Sequence, residues 1–235
     1  MLALRDVDVY IEASHILRRI SLEAARGELV CLVGRNGAGK TTTLRTVMGY
    51  LRPAAGTITF AGQPIGGLPT HAIAARGVGY APEESAVFGD LTVGENIELA
   101  TWTRPGGRPA AERVAGAYDV FPRLRGFATR GGTQLSGGER KMLSIARALA
   151  LDPALLLLDE PFEGLSPAII PQLGESIAAI ARLGPAIVLA ESNIHHVPAY
   201  ASRLYVIERG EIVFAGLPQD LRGRPDLARI VGQAL

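Results

Sequence analysis

Residues 29–49 constrain the fold of this chain more than any other stretch. Leu29-Val30-Cys31-Leu32-Val33 is an apolar run that reads as a buried strand, and Gly34-Arg35-Asn36-Gly37-Ala38-Gly39-Lys40-Thr41 follows it, a full match to G-x-x-x-x-G-K-[ST]. Residues 40–49 then read as a helix. A buried strand that passes through a glycine loop into a helix predicts an α/β architecture with parallel strands. The same geometry predicts chemistry. Glycines let backbone N–H groups curl around a β-phosphate, the helix N-terminus adds positive potential, and Lys40 reaches the β- and γ-phosphates. Thr41 is placed to hold Mg²⁺ through its hydroxyl.

Charge usage singles out the loop again. Lys40 and Lys141 are the only lysines among 24 basic residues, so positive charge is carried almost entirely by arginine. The planar fork of arginine cannot act as the compact point charge this pocket needs, and a lysine retained there is not ordinary surface charge.

Leu155-Leu156-Leu157-Leu158-Asp159-Glu160 is too continuously apolar for a half-exposed strand, so it is expected at the centre of a sheet covered on both faces. The carboxylates at its C-terminal end face the ligand crevice or carry the cost of burial. Asp159 is placed to bind Mg²⁺ through water, and Glu160 to polarise the water that attacks a γ-phosphate. Between loop and acidic strand lies Leu135-Ser136-Gly137-Gly138-Glu139, opening a helix that runs to Ala150. Ser136 and Glu139 form a capping box, which accounts for those two residues by local structure alone. It leaves the adjacent glycines of the first turn unexplained, since glycine is a poor helix former unless something approaches the backbone closely. A γ-phosphate is the natural candidate. One chain's loop already cradles the phosphates, so this second donor set implies a second chain closing over the nucleotide.

The bulk of the chain fits one large domain or a core with a smaller subdomain. It has 235 residues, 48% of them apolar, enough to bury a sizeable core, and a formal charge of +1 that supplies no field for holding nucleic acid. No run approaches the roughly 18 apolar residues of a membrane span, and Met1-Leu2-Ala3-Leu4-Arg5-Asp6 lacks the order of a secretory signal, so a cytosolic protein is expected. Cys31, the single cysteine, excludes an internal disulfide and reads as a small buried hydrophobe. Residues 2–23 suggest two strands joined by a turn at 12–14, and Thr57-Ile58-Thr59-Phe60 with Ala61-Gly62 suggests a hairpin. Residues 86–150 carry helical patterns broken at Arg104-Pro105-Gly106-Gly107 and at Gly131-Gly132, and read as a helical subdomain. Beyond Pro153 strands alternate with helices: 155–159, then 167–183, then 186–190.

On the loop, the pentapeptide and the acidic strand, the chain resembles the ATP-binding cassette ATPases over essentially its whole length. The resemblance implies a P-loop (RecA-like) parallel-sheet core with an antiparallel β-layer and a helical signature subdomain. Residues 1–85 and 151–235 would form the core and β-layer, and about 86–150 the subdomain, all within a single 1–235 ATPase domain. It implies a head-to-tail homodimer or heterodimer that sandwiches two ATP molecules, each between the Walker A loop of one chain (34–42, including Thr42) and the signature of the other. Ser136, Gly137, Gly138 and Glu139 would then act on the partner's ATP. Tyr10 stands where the family stacks an aromatic on adenine, and Glu163-Gly164-Leu165-Ser166-Pro167 resembles its D-loop. Tyr80-Ala81-Pro82-Glu83 has Glu83 where most cassettes carry the Q-loop glutamine, a position associated with the metal. With Leu91-Thr92-Val93-Gly94-Glu95-Asn96 and Phe121-Pro122-Arg123-Leu124 it is similar to the LivF-type ATPases of branched-chain amino-acid importers. Lipopolysaccharide-export and urea or amide importer ATPases share parts of this combination.

Ala190-Glu191-Ser192-Asn193 departs from the family, since Ser192 falls where a switch histidine is expected. Either Ser192 reaches the γ-phosphate through a water or His195 takes part. The partners implied are two integral-membrane permeases and, indirectly, a soluble substrate-binding protein, with the ATPase peripheral on the cytoplasmic face of the membrane. A DNA-repair type would insert a long coiled coil, of which there is no heptad run, and a translation type would carry two cassettes.

Overall fold

A computed structural model describes residues 1–104, 107–221, 224, 227, 230 and 231. Among these residues, ten strands form two sheets. The first is antiparallel, order β2-β1-β4-β5, from β1 (Leu2–Ile11), β2 (Ser14–Ala24), β4 (Ala55–Phe60) and β5 (Gln63–Pro64). The second has order β10-β9-β3-β8-β7-β6, from β3 (Leu29–Val33), β6 (Val78–Ala81), β7 (Leu155–Asp159), β8 (Ala186–Glu191), β9 (Arg203–Glu208) and β10 (Glu211–Gly216). All its pairs are parallel except β9 with β10. The α/β class, the antiparallel layer and the turn between β1 and β2 are as the sequence predicts.

Every residue of β3, β7 and β8 is buried, and the period of two along a strand explains why their runs are continuous. Leu156 and Leu158 enter one apolar cluster with Cys31 and Val33, whereas Leu155 and Leu157 enter another with Val30 and Leu32. Full burial of each leucine contributes about 1.5–3 kcal/mol, so both faces of the sheet need a cover. The β1-β2-β4 layer and α1 (Lys40–Val47) cover one face. The other takes α3 (Val93–Thr101), α4 (Ala110–Val120), α6 (Gly137–Ala150) and α7 (Ile170–Arg182). Two short helices, α2 (Thr70–Ala75) and α5 (Pro122–Arg125), are also present.

The predicted helical region thus holds α3 to α6. It is anchored by α6, which touches β6 and β7 directly and lies between the sheet and the other helices. The break expected at 104–107 falls partly on Pro105 and Gly106, outside the described residues. β7 is covered on both faces as expected, but it lies one strand in from the edge strand β6 and not at the centre of the sheet, because coverage from both faces buries a strand wherever it has a neighbour on each side. Burial raises the pKa of the Cys31 thiol, which suits a core hydrophobe.

Candidate active site

Parallel register delivers the site. β3, β7 and β8 run side by side, with Val33 opposite Glu191 and Asp159 opposite Ala190, while Ala81 of β6 pairs with Leu158. Gly34, Glu160, Ser192 and the Pro82-Glu83 segment therefore leave the sheet at one edge, outside the carboxyl ends of the strands, where α/β sheets bind ligands. A cavity of about 220 Å³ there is lined by Asn36, Gly37, Gly39, Lys40, Thr41, Thr42, Glu83 and Glu160.

The loop is shaped from within the chain. Gly39 precedes α1 at φ 115°, no side chain caps that helix, and no acidic residue stands in its first turn, so its positive end suits an anion. At Gly34 a Cβ would lie 2.2 Å from the Ile207 carbonyl oxygen. Ala38 is buried, its N–H donating to the Arg35 carbonyl at 3.0 Å and its own carbonyl accepting from Gly210 N–H at 2.9 Å. Arg35, Asn36 and Gly37 are exposed.

Lys40 Nζ donates to the carbonyls of Gly34 (2.6 Å) and Arg35 (3.1 Å) and lies 3.0 Å from Glu160 Oε1. Both side chains are 4% exposed, and two charges so deeply buried require this close pairing. The other carboxylate oxygen of Glu160 accepts from the N–H (3.1 Å) and hydroxyl (3.0 Å) of Ser192. Glu160 also adopts φ 46°, while its N–H donates to the Ala190 carbonyl at 3.0 Å. A non-glycine residue in that region persists only where its surroundings over-determine it.

Asp159 Oδ1 accepts from Thr41 Oγ1 at 3.0 Å and Oδ2 from the Tyr80 hydroxyl at 2.9 Å. Burial raises its pKa and Glu160 adds to that, against the pull of both hydrogen bonds. Burial also raises Glu83, helped by Glu163, Asp159 and Glu160. Crowded carboxylates beside a threonine hydroxyl are the hard oxygen donors that suit Mg²⁺ completed by phosphate oxygens.

Ser136, Gly137, Gly138 and Glu139 lie elsewhere, and none of them lines this cavity. Ser136 Oγ accepts from Glu139 N–H at 3.3 Å, and the Glu139 carboxylate takes the Ser136 N–H and hydroxyl, both at 2.9 Å. Arg123 holds the other oxygen of Glu139 at 3.2 Å. Nothing lies within 4 Å of a Cβ built on Gly137, and Gly138 meets only ordinary contact with Ile169 and Leu165. Ser136 and Gly137 are exposed.

At the remaining positions the structure adds what the sequence did not convey. Tyr10 is exposed and stacks on His15 at 4.3 Å and 8°, with His15 held by Asp8 at 2.7 Å. Its neighbour Ile11 lines a cavity of about 520 Å³ with Thr41 and Thr42. Ser192 contacts Glu160 itself. His195 is exposed, and His196 is the imidazole that turns inward, with Nδ1 3.1 Å from the buried Glu191. Sequence reasoning also missed Tyr80 as a partner of Asp159. It noted Lys141 as one of two lysines but gave it no role, although its ammonium is buried against the carbonyls of Glu83 and Glu160.

A glycine cradle at a helix start, a paired lysine and two acidic residues at a strand end define a P-loop nucleotide-binding ATPase. Residues 17–163 match the ABC transporter family model, and the chain belongs to that family as an ATP-binding subunit. It is 39% identical to the high-affinity branched-chain amino acid transport ATP-binding protein BraG of Pseudomonas aeruginosa, over 91% of each chain. It is 34% identical to the lipopolysaccharide export system ATP-binding protein LptB of Acidithiobacillus ferridurans, over 92% of this chain and 89% of that one. A solved ATP binding subunit of an ABC transporter superposes with TM-score 0.84 at 26% identity, over 97% of this chain and 94% of the other. The dimeric structure of the ATP-binding cassette MJ0796 bound to ADP and Pi shares the fold at TM-score 0.82 and 23% identity, over 93% and 99%. Among the described residues no helix is long and apolar enough to cross a membrane.

Proposed function

We propose that this chain hydrolyses ATP between two cassettes to power uptake of branched-chain or related amino acids through partner permeases. The observation that carries the catalytic part is Glu160, fixed on the wall of the phosphate cavity by Lys40, Ser192 and the backbone. In this reading Glu160 takes the proton of the attacking water, and Lys40 and the loop N–H groups stabilise charge on the β- and γ-phosphates. Thr41 and Asp159, with Glu83 nearby, would hold Mg²⁺, which when bound neutralises charge developing on the phosphate oxygens. Tyr10 would offer adenine the ring face that His15 does not cover. Ser136, Gly137 and Gly138 would serve the ATP of the partner cassette, with Glu139 as their cap.

The similarity to BraG favours amino-acid import, and the chain would then work on the cytoplasmic face of the membrane with two permeases and, indirectly, a binding protein. A groove of about 340 Å³, walled by Tyr50, Pro82, Ala86, Phe88, Leu99 and Arg147, offers a permease segment an apolar seat beside Glu83. The formal charge of +1 gives no support to a nucleic-acid partner.

Glu160→Gln tests the chemistry. The variant is expected to bind ATP, accumulate as a dimer and turn over about 10³-fold more slowly, and wild-type turnover would sink the assignment. Substrate is tested by uptake of amino acids, amides and urea after deletion of the gene. Loss of branched-chain uptake is the expected result. Intact uptake with defective lipopolysaccharide delivery would instead favour export, the activity named for the LptB relatives.

A further inference from the structure

Lys141 lies on α6, five residues beyond Ser136, and is only 6% exposed. Its ammonium donates to the carbonyl of Glu83 at 2.7 Å and to the carbonyl of Glu160 at 2.9 Å, groups 58 and 19 residues away in the chain. Burying an ammonium is costly, and the ordinary remedy is a carboxylate partner. Carboxylates are close enough to favour its charged form, namely Glu83, Glu163, Glu191 and Asp159, yet the hydrogen bonds go to peptide carbonyls. A bond to a carbonyl fixes a backbone, and the backbone fixed at Glu160 is the one with φ 46°. The Ala190 carbonyl holds the N–H of that residue and Lys141 holds its C=O, so the unusual conformation that aims the carboxylate at the cavity is set partly from α6. The second bond ties Glu83, which also lines that cavity, to the same ammonium.

We infer that Lys141 is a positioning residue for ATP hydrolysis, carrying the placement of the signature helix to the backbone of Glu160 and of Glu83. This rests on the reading of Glu160 as the base. The side chain joins three elements that must agree before hydrolysis: the helix whose start faces the partner's nucleotide, the segment beside the permease groove, and the catalytic carboxylate. A lysine that only filled space would leave turnover unaffected once the fold was intact.

The test uses the full chain with Lys141→Met, which keeps the length and removes the donors, and Lys141→Arg and Lys141→Gln, which keep donors. In Lys141→Met, kcat should fall about 100-fold, the effect of misplacing a reacting group by about 1 Å, while the Kd for ATP stays within about twofold. Lys141→Arg or Lys141→Gln should recover at least about tenfold of that loss. Adding Lys141→Met to Glu160→Gln should cost little more, because both act on one group. The inference is overturned if Lys141→Met turns over at the wild-type rate, if kcat and ATP affinity fall together, or if the donor-bearing variants are as impaired as Lys141→Met. Should Lys141→Met fail to fold, the Arg and Gln variants decide alone: loss of kcat beyond about tenfold in both overturns it. Wild-type turnover in Glu160→Gln would instead sink the base assignment, whatever Lys141 does.

Discussion

At the start of α1, Gly34 and Gly39 have no room for a side chain, whereas at the start of α6 Gly137 faces open space and Gly138 only ordinary contact. Gly39 has φ 115°, and a Cβ there would stand 2.8 Å from the Leu17 side chain, while one on Gly34 would strike the Ile207 carbonyl. Those residues shape a loop whose helix has no side-chain cap and no acidic first turn. The α6 start is the reverse, with a full capping box, Glu139 in the first turn and open space beside Gly137. One helix start is a cradle completed by its own chain and left open to an anion. The other pairs Ser136 and Glu139 with each other and leaves a bare approach to the backbone at Gly137, which has a use if the ligand arrives held by a second chain. The Glu139 carboxylate takes the Ser136 N–H and hydroxyl, so the groups of this turn with no acceptor among the described residues are the N–H groups of Gly137 and Gly138.

Substituting alanine at both starts would break this contrast most forcefully. Gly39→Ala forces a side chain into a left-handed conformation and should destabilise the fold by about 1–3 kcal/mol while abolishing nucleotide binding, read by thermal melting and a fluorescent ATP analogue. Gly137→Ala should do the opposite to the fold, raising stability by about 0.4–1 kcal/mol because alanine is the better helix former and meets nothing. Its ATPase rate should nonetheless fall about 100-fold, with ATP binding to the single chain retained. A stabilised Gly137→Ala variant with normal turnover would mean that the glycine serves no partner.

A smaller effect is expected at Ser192. Its hydroxyl and its N–H both hold Glu160 Oε2, so Ser192→Ala removes one of two donors and should slow steady-state turnover by about three- to tenfold, the value of one ordinary hydrogen bond. His195→Ala should leave turnover unchanged, since that imidazole is exposed. A Ser192→Ala variant as inactive as Glu160→Gln would favour the water-mediated contact with the γ-phosphate expected for Ser192.

What the sequence conveyed follows from the range of each interaction. The strand 155–159, the glycine loop and the capping box are local patterns, and each stands where its residues predict. The partners of Tyr80, Ser192 and Lys141 depend instead on strand register and helix packing between distant segments. Tyr80 meets Asp159 across 79 positions, and Ser192 meets Glu160 only because β7 and β8 are parallel with Asp159 opposite Ala190. A one-residue slip in that register would turn every side chain to the other face. Composition did hold one clue, since the chain keeps two lysines and both are buried at this site.

The smallest expected effect separates the switch segment from the cavity it borders. Glu191 is fully buried, accepts from Phe162 N–H at 3.2 Å and meets His196 Nδ1 at 3.1 Å, with the His196 ring 5.2 Å from that of Phe162. The hydrogen bond to Glu191 raises the His196 pKa above its ordinary 6.5 against the effect of burial, and Glu191 and Glu160 add charge attraction. Burial raises Glu191 too, with Glu160 adding and His196 opposing. A raised pKa in the folded state means that folding takes up protons. The His196 contribution is therefore complete below about pH 6.5 and is lost as pH rises through the raised folded value. The Tm difference between wild type and His196→Ala should be about 2–4 °C near pH 6 and should shrink steadily toward about pH 9. Because His196 reaches Glu191 and not Glu160, ATP turnover at neutral pH should change less than in Ser192→Ala. A pH-independent Tm difference would show that His196 contributes packing against Phe162 and no charge.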